Sequence, residues 1–316
     1  MSVGPNQTLP CDPTTAVVGT GALGMYYGAK LAQSGVPVIF LARRDLTHLQ
    51  KHGIQVRCPF GDFHLQPVRA HGRPEEIGPV NLVLVCIKTT ANADLKKLIP
   101  PLLGPDTVVC TLQNGLGNEE LLATIAGRER VLGGVCHVCV SRPEPGIARN
   151  MACTDIKFSD LSGGDTPRAR SLAKIFSAAG VQCTVAPSIG AARWYKLVWN
   201  VPFNGLGIAG GPGGCDTHQV LTDPALHQEA KDLMAEVLAA SAKLGYPQES
   251  GLIDKEIART RTMGHYKSSS QLDWEAGNPV ELESIWGEAL RQGTAAGVPM
   301  PHLQKLYEKL KGMVKV

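Results

Sequence analysis

The stretch Ala16-Val17-Val18-Gly19-Thr20-Gly21-Ala22-Leu23-Gly24 decides how the rest of the chain is read, because an apolar strand runs into G-x-G-x-x-G and then into a helix-like segment from Met25 to Ser34. In that context the three glycines differ in role. Gly19 permits a tight turn, Gly21 lets the backbone approach a pyrophosphate, and Gly24 allows close packing of helix on strand. With Thr20, Ala22 and Leu23 they form a loop opening a helix whose first N–H groups can bind phosphates. A second apolar strand, Val36 to Ala42, follows at the distance a βαβ unit requires. The stretch is therefore read as a dinucleotide site and not as a structural glycine turn.

The end of that second strand is where the adenosine ribose is read, and an acidic residue there accepts hydrogen bonds from a free 2′-hydroxyl. This chain has Arg43-Arg44. A guanidinium fork suits a 2′-phosphate, which favours NADP over NAD, whereas Asp45, one step on, could serve a free ribose instead. The reading without function is a solvated arginine pair at a strand end.

Outward from this motif, 316 residues exceed what one hydrophobic core serves, so two domains are expected. A net charge of +3, from 31 basic and 28 acidic residues scattered along the chain, argues against a nucleic-acid partner. No apolar run approaches the ~18 residues needed to cross a bilayer, and Met1 to Thr15 is polar, proline-containing and without a secretory apolar region. No membrane partner is expected, residues 1–14 read as a disordered tail, and the glycosylation pattern Asn6-Gln7-Thr8 carries no weight without export. The 9 cysteines, odd in number and dispersed mostly in apolar runs, point to free buried thiols in a reducing cytoplasm. Cys136-His137-Val138-Cys139 lies in the strand-like run Val131 to Val140, where alternate side chains face opposite sides, and no second ligand pair stands at zinc spacing. No metal is expected.

The first half continues with strands and helices in alternation: apolar runs at Asn81 to Ile87 and Thr107 to Leu112, helical segments at Gly115 to Ala126 and Pro167 to Ala179, and a short strand at Gln182 to Val185. This is the pattern of an α/β Rossmann domain with a doubly wound parallel sheet, placed at 15–187. Beyond Pro187 only helices are expected, over Ile189 to Trp199, Pro224 to Leu244, Leu252 to Thr262, Ser269 to Ala276, Leu282 to Ala296 and His302 to Lys311, which makes 188–316 an all-helical second domain. Pro202 is expected to bend or end the first of these helices.

Ligands of such sheets bind outside the carboxyl ends of the strands. Lys88 ends one strand and Gln113-Asn114-Gly115 another, either as functional groups or as ordinary solvated termini. In the helical half, Lys196 and Asn200 are one turn apart on one face that Asn204 continues, within Trp194-Tyr195-Lys196-Leu197-Val198-Trp199 and the residues that follow. A lysine in apolar surroundings has its neutral form favoured, which suits a proton donor; a surface lysine at a domain junction is the alternative. Further on, Ser268-Ser269-Ser270 opens a helix that could receive a carboxylate or could be a simple cap, and Glu281 follows after a turn.

Taken in order, these pieces resemble the ketopantoate reductases (2-dehydropantoate 2-reductases). The family pattern of G-x-G-A-x-G, a strand-ending Lys, Q/H-N-G, K-x-x-x-N-x-x-x-N, and a serine pair with T-E-I-D eight residues beyond is met across nearly the whole chain. The resemblance implies a Rossmann domain followed by a helical domain like that of 6-phosphogluconate dehydrogenase, and NADPH-dependent reduction of 2-dehydropantoate to pantoate, a step toward pantothenate and coenzyme A. It implies that Gly19 to Gly24, Arg43, Lys88 and Asn114 bind the cofactor and that Asn114, Asn200, Asn204 and Ser269 contact a small 2-oxo acid. Lys196 would be the general acid, and Glu281 would act with it. A homodimer is the candidate assembly.

The chain departs from the pattern where some members have an asparagine and it has Gly214 or Tyr266, and where Val280-Glu281-Leu282-Glu283 keeps the glutamate without the threonine. These departures concern substrate choice more than chemistry. Two other readings stay open: an opine, glycerol-3-phosphate or 3-hydroxyacid type of dehydrogenase, which lacks the serine-pair and glutamate arrangement, and a non-catalytic NADP-binding regulator, which needs no organised proton donor such as Lys196.

Overall fold

The computed structural model describes residues 7–316. The chain splits into two compact units, Met1–Gln113 with Asn118–Ile189, and Asn114–Gly117 with Gly190–Val316. The first holds β1 (Thr15–Val18), α1 (Ala22–Gln33), β2 (Val38–Leu41), α2 (Leu46–His52), β3 (Ile54–Arg57), β4 (Phe63–Leu65), β5 (Ala70–His71), β6 (Val80–Val85), α3 (Leu95–Leu98), β7 (Leu103–Thr111), α4 (Asn118–Ala126), β8 (Val131–Ser141), β9 (Ile147–Asp160), α5 (Pro167–Ala178) and β10 (Cys183–Val185).

These strands form one sheet in the order β4-β3-β9-β8-β7-β6-β1-β2-β5, with β10 also on β9. Its centre is parallel, as a Rossmann domain requires, and β1 and β2 are buried at every position, so neither face of them meets water. The β8/β9 and β3/β4 pairs are antiparallel and extend the parallel core of the Rossmann sheet. β9 carries this extension: its first residues pair with β3, its last with β10, and its length with β8. Its burial follows no clean alternation, because successive stretches have different neighbours, and period-2 reasoning passes over it. Helix α4 starts at Asn118 instead of Gly115, since Gly115 and Gly117 both adopt left-handed φ.

The core of this unit centres on α1 and α5. Tyr26 and Tyr27 are fully buried, Tyr27 meets Phe176 at 6.1 Å between ring centroids, and Phe158 meets Phe176 at 5.1 Å. Of the expected tail, residues 1–6 lie outside the described residues, Asn6 of the glycosylation pattern among them. Leu9 is buried and its N–H donates to Ser171 Oγ at 3.1 Å, so that part of the segment is packed.

The second unit holds α6 (Ile189–Ala209), α7 (Thr217–Thr222), α8 (Pro224–Lys243), α9 (Leu252–Arg261), α10 (Ser269–Glu275), a π-helical turn at Glu283–Gly287, α11 (Glu288–Ala295) and α12 (Pro301–Lys311). Pro202 does not end α6. A proline inside a helix costs about 3 kcal/mol, but Val198, Val201 and Phe203 around it are 0–2% exposed, and burying them outweighs that cost. The helix starts are satisfied locally: Asp223 accepts from Ala225 N and Leu226 N, and buried Glu236 on α8 accepts the N–H groups of His302 and Leu303 at 2.8 Å, capping α12 from another helix. Among the described residues no helix is long and apolar enough to cross a membrane.

One buried ion pair fastens β9 to α5. Asp160 and Arg168 are both 0% exposed at their side chains, and Asp160 Oδ2 accepts from Arg168 Nε at 3.0 Å, Arg168 Nη2 at 2.6 Å and Thr166 Oγ1 at 3.1 Å. Asp160→Ala is expected to lower the unfolding free energy by about 3–5 kcal/mol, because Arg168 keeps its charge in a dry site without its partner. A thermal melt measures the loss, and adding Arg168→Met should recover most of it.

Candidate functional site

In the first unit the glycine loop is built by close approach. Gly19 has φ +107°, and a Cβ there would lie 2.8 Å from Ile87 N; a Cβ at Gly24 would lie 1.9 Å from Gly19 O. Only glycine satisfies both positions. Gly21 is different: nothing lies within 4 Å of where its Cβ would be, and it precedes α1 in an extended conformation without any side-chain cap. Open space beside an uncapped helix start is what a pyrophosphate needs, so the loop fits a dinucleotide. Thr20, Ala22 and Leu23, all partly exposed, complete it.

After β2, Arg43 and Arg44 are exposed, and Arg43 Nη1 lies 3.2 Å from Asp94 Oδ2. A surface pair of this kind contributes little and leaves the guanidinium available to another anion. Asp45 is buried, and its carboxylate is held by Arg142 from the end of β8. The acceptor that could have served a free ribose is thus already engaged. Arg142 could not be found from sequence, because 97 residues separate it from Asp45 and only the sheet brings them together.

Lys88 is exposed and precedes the 3₁₀ turn at Thr89–Asp94. Gln113 is buried and fixes the strand end: its Nε2 donates to Ile87 O at 2.9 Å and to Asn92 Oδ1 at 2.7 Å, and its Oε1 accepts from Thr111 Oγ1 at 3.0 Å. Asn92, which no sequence motif marks, donates onward to Asn118 Oδ1 at 3.1 Å.

In the second unit, Lys196 Nζ donates to Asn114 Oδ1 at 2.7 Å, joining two residues that are 82 positions apart. Asn114 is brought there by its own loop, where Leu116 N donates to Ser284 O at 2.8 Å and Gly115, with φ +81°, packs so closely that a Cβ would lie 2.3 Å from Ser284 O. The π-helical turn carrying Ser284 is anchored in turn by Trp286 Nε1, which donates to Val201 O of α6 at 2.9 Å. The neighbours of Lys196 are pinned to α9: Tyr195 Oη donates to Glu256 Oε1 at 3.2 Å, and Trp199 Nε1 donates to Thr260 Oγ1 at 2.9 Å. Burial, with Glu256 next to it, pushes the Tyr195 phenol up, so it remains a hydroxyl donor.

Asn200 and Asn204 continue the Lys196 face and are both buried. Asn204 Nδ2 donates to Ser270 Oγ at 3.1 Å, and its Oδ1 is a buried acceptor without a protein partner. The serine run divides its work. Ser268 is the cap of α10, accepting from Gln271 N at 3.3 Å; Ser269 is exposed; Ser270 is the one that meets Asn204. Ser270 lies one residue from the serine singled out in sequence, and only the tertiary pairing reveals it. Glu281 is partly exposed, two residues before the π-helical turn. Among the described residues, Glu229, Asp232 and His302 bring possible ligand atoms within 4.8 Å of one another, but His302 Nδ1 is already in hydrogen-bonding contact with Glu229 Oε2 at 3.0 Å.

The model of the family described as "Ketopantoate reductase PanE/ApbA" matches residues 15–163, and that described as "Ketopantoate reductase PanE/ApbA C terminal" matches residues 188–314. The chain belongs to the ketopantoate reductase family. A 2-dehydropantoate 2-reductase of Nostoc sp. is 33% identical over 94% of this chain and 93% of its own length. The crystal structure of a 2-dehydropantoate 2-reductase from Geobacter metallireducens superposes with a TM-score of 0.91 at 40% identity, covering 94% of this chain and 99% of that one. Another, from Methylococcus capsulatus, gives 0.86 at 33% identity, covering 94% and 95%.

The two kinds of glycine in the loop should separate experimentally. Gly24→Ala is expected to lower Tm, because its Cβ must displace the Gly19 carbonyl, while Gly21→Ala should leave Tm unchanged and weaken dinucleotide binding. Thermal melts and calorimetric titration with NADPH check the pair, and an equal loss of Tm in both would contradict the assignment.

Proposed function

We propose that this member of the family reduces 2-dehydropantoate to pantoate with NADPH. The observation that carries the reading is the placement of Lys196 Nζ 2.7 Å from Asn114 Oδ1, on a helix whose neighbouring side chains are fixed to α9. NADPH, when bound, supplies the hydride. The nucleotide-binding domain is taken as 15–187 and the helical substrate domain as 188–316, and neither alone carries both the glycine loop and the lysine.

Gly19, Thr20, Gly21, Ala22, Leu23 and Gly24 hold the pyrophosphate, with Lys88 and Asn114 beside the cofactor. Arg43 binds the 2′-phosphate, a preference supported by the engagement of Asp45 with Arg142. Reduction of a 2-oxo carbon leaves negative charge on its oxygen, and Lys196 holds both the proton and the positive charge that this oxygen needs. Asn114 aims the ammonium group. Glu281 accepts hydrogen bonds from a substrate hydroxyl, Asn200 and Asn204 contact the substrate, and Ser269 receives its carboxylate. A substrate donor reaching Asn204 Oδ1 would satisfy a buried acceptor that otherwise costs about 1–3 kcal/mol.

A second reading, reduction of another 2-oxo acid, rests on the departures from the family pattern. Gly214 has φ +81° and a Cβ there would lie 2.5 Å from Gly207 O, so the asparagine of some relatives has no room in this backbone; the Tyr266 ring lies 6.3 Å from Trp199. Oxidation of NADPH with a panel of 2-oxo acids decides between the two, and binding of NADPH without turnover of any of them would instead favour a regulator.

Lys196→Ala is expected to lower kcat by roughly 10²–10⁴-fold with NADPH binding intact, the loss typical of a missing general acid. Near-normal kcat in that variant would remove Lys196 from the role. Arg43→Ala should reduce the preference for NADPH over NADH by the ~1.5–3 kcal/mol of a charge-assisted contact, read as the ratio of kcat/KM values for the two cofactors.

A further inference from the structure

None of the 9 cysteines is in a disulfide, yet two of them are placed side by side. The β8/β9 register runs regularly from Leu132↔Asp160 to Val138↔Thr154 and then shifts, so that Cys139 pairs with Ala152 and Cys153 becomes the extra residue of a β-bulge. Cys153 has φ +42° and is the only non-glycine residue with positive φ among those described. Left-handed backbone at a cysteine persists only where the surroundings impose it. Here they do so through Asn150, which is buried, accepts from Ala152 N at 3.0 Å and donates to Cys153 O at 3.0 Å.

The outcome of this clamp is a sulfur pair. The bulge sets Cys153 beside Cys139 across the strand pair, where the two thiols interact. Cys153 is exposed and Cys139 partly so, which leaves the pair open to a small reagent, whereas Cys86, Cys110 and Cys136 are buried. The hydrogen bond to Cys139, with burial, pushes the Cys153 thiol up, so at rest the pair is protonated and exchange proceeds through a minor thiolate. Proximity makes the second step of such an exchange intramolecular.

We propose that Cys139 and Cys153 are a redox modification site that closes to a reversible intramolecular disulfide in exchange with small disulfides such as oxidised glutathione. The thiolate of one cysteine attacks a sulfur of the small disulfide; that S–S bond breaks, a mixed disulfide forms, and one reduced glutathione leaves. The second cysteine then attacks the protein sulfur of the mixed disulfide, the Cys139–Cys153 bond forms, and a second glutathione leaves. Two protein thiols are oxidised, one small disulfide is reduced to two thiols, and both protons pass from the protein to the departing thiols. The site lies one residue from Thr154, whose carbonyl accepts from Tyr27 Oη of α1, the helix that opens at the glycine loop.

The full-length protein, incubated with oxidised glutathione at mildly alkaline pH, alkylated and digested with trypsin without reduction, tests this. Trypsin does not cut between Arg142 and Pro143, so the expected product is a cross-link between the peptide Val131 to Arg149 and the peptide Asn150 to Lys157, lost on reduction and retained in Cys136→Ser. Cys139→Ser and Cys153→Ser should each lose the cross-link and carry glutathione on the remaining cysteine of the pair, with Tm values recorded to show that both are folded. Cys153→Gly, which accommodates the left-handed backbone, serves if the serine variant does not fold. A cross-link that survives in Cys139→Ser, stable glutathionylation of Cys153 beside an unmodified Cys139 in the parent, or an unmodified Cys153 under conditions that label the exposed Cys11 would each overturn the proposal.

Discussion

The hydrogen bond from Lys196 Nζ to Asn114 Oδ1 is the interaction on which the organisation of the helical unit's polar face depends. It needs a four-residue loop, Asn114–Gly117, to leave the end of β7 and become part of the helical unit. The loop is held there by the Leu116 N–H on Ser284 O, by the absence of a side chain at Gly115, and by the π-helical turn that presents the Ser284 carbonyl. That turn is a departure from regular helix, and Trp286 inside it is fully buried and bonded to Val201 O. A π turn in such a position costs hydrogen-bond geometry and is commonly found where function requires a displaced carbonyl or side chain.

The nucleotide unit is governed by a different constraint, steric exclusion. Gly19 and Gly24 are fixed because atoms already occupy the space a side chain would take, whereas nothing lies within 4 Å of where a Cβ of Gly21 would be. The same motif therefore contains two glycines that packing requires and one that packing does not. The Arg142 to Asp45 contact, 97 residues apart, holds a buried carboxylate after β2 in an ion pair.

Bracing recurs wherever this chain holds an unfavourable local geometry. Asn150 stabilises left-handed Cys153, Arg168 and Thr166 neutralise buried Asp160, and Glu236 satisfies the start of α12 from a different helix. The supporting group is distant in sequence for Glu236 and lies within eight residues for Asn150, Thr166 and Arg168.

The amino-acid order by itself determined the class of the fold, the nucleotide loop and the ordered set of polar residues, because these rest on short-range physics: φ > 0 at glycine, the apolar period of strands, a helix start after a tight turn, and residues one helical turn apart such as Lys196 and Asn200. What only the tertiary structure decided are the pairings that cross long sequence distances. Arg142 on Asp45, Asn114 on Lys196, Ser270 on Asn204, and Cys153 beside Cys139 each depend on strand register or helix packing, and a shift of one residue in register would exchange every partner. Pro202 and β9 make the same point from the other side: local propensity ends a helix and ignores a strand, and the burial of Val198, Val201 and Phe203, or pairing with three neighbouring strands, overrides it.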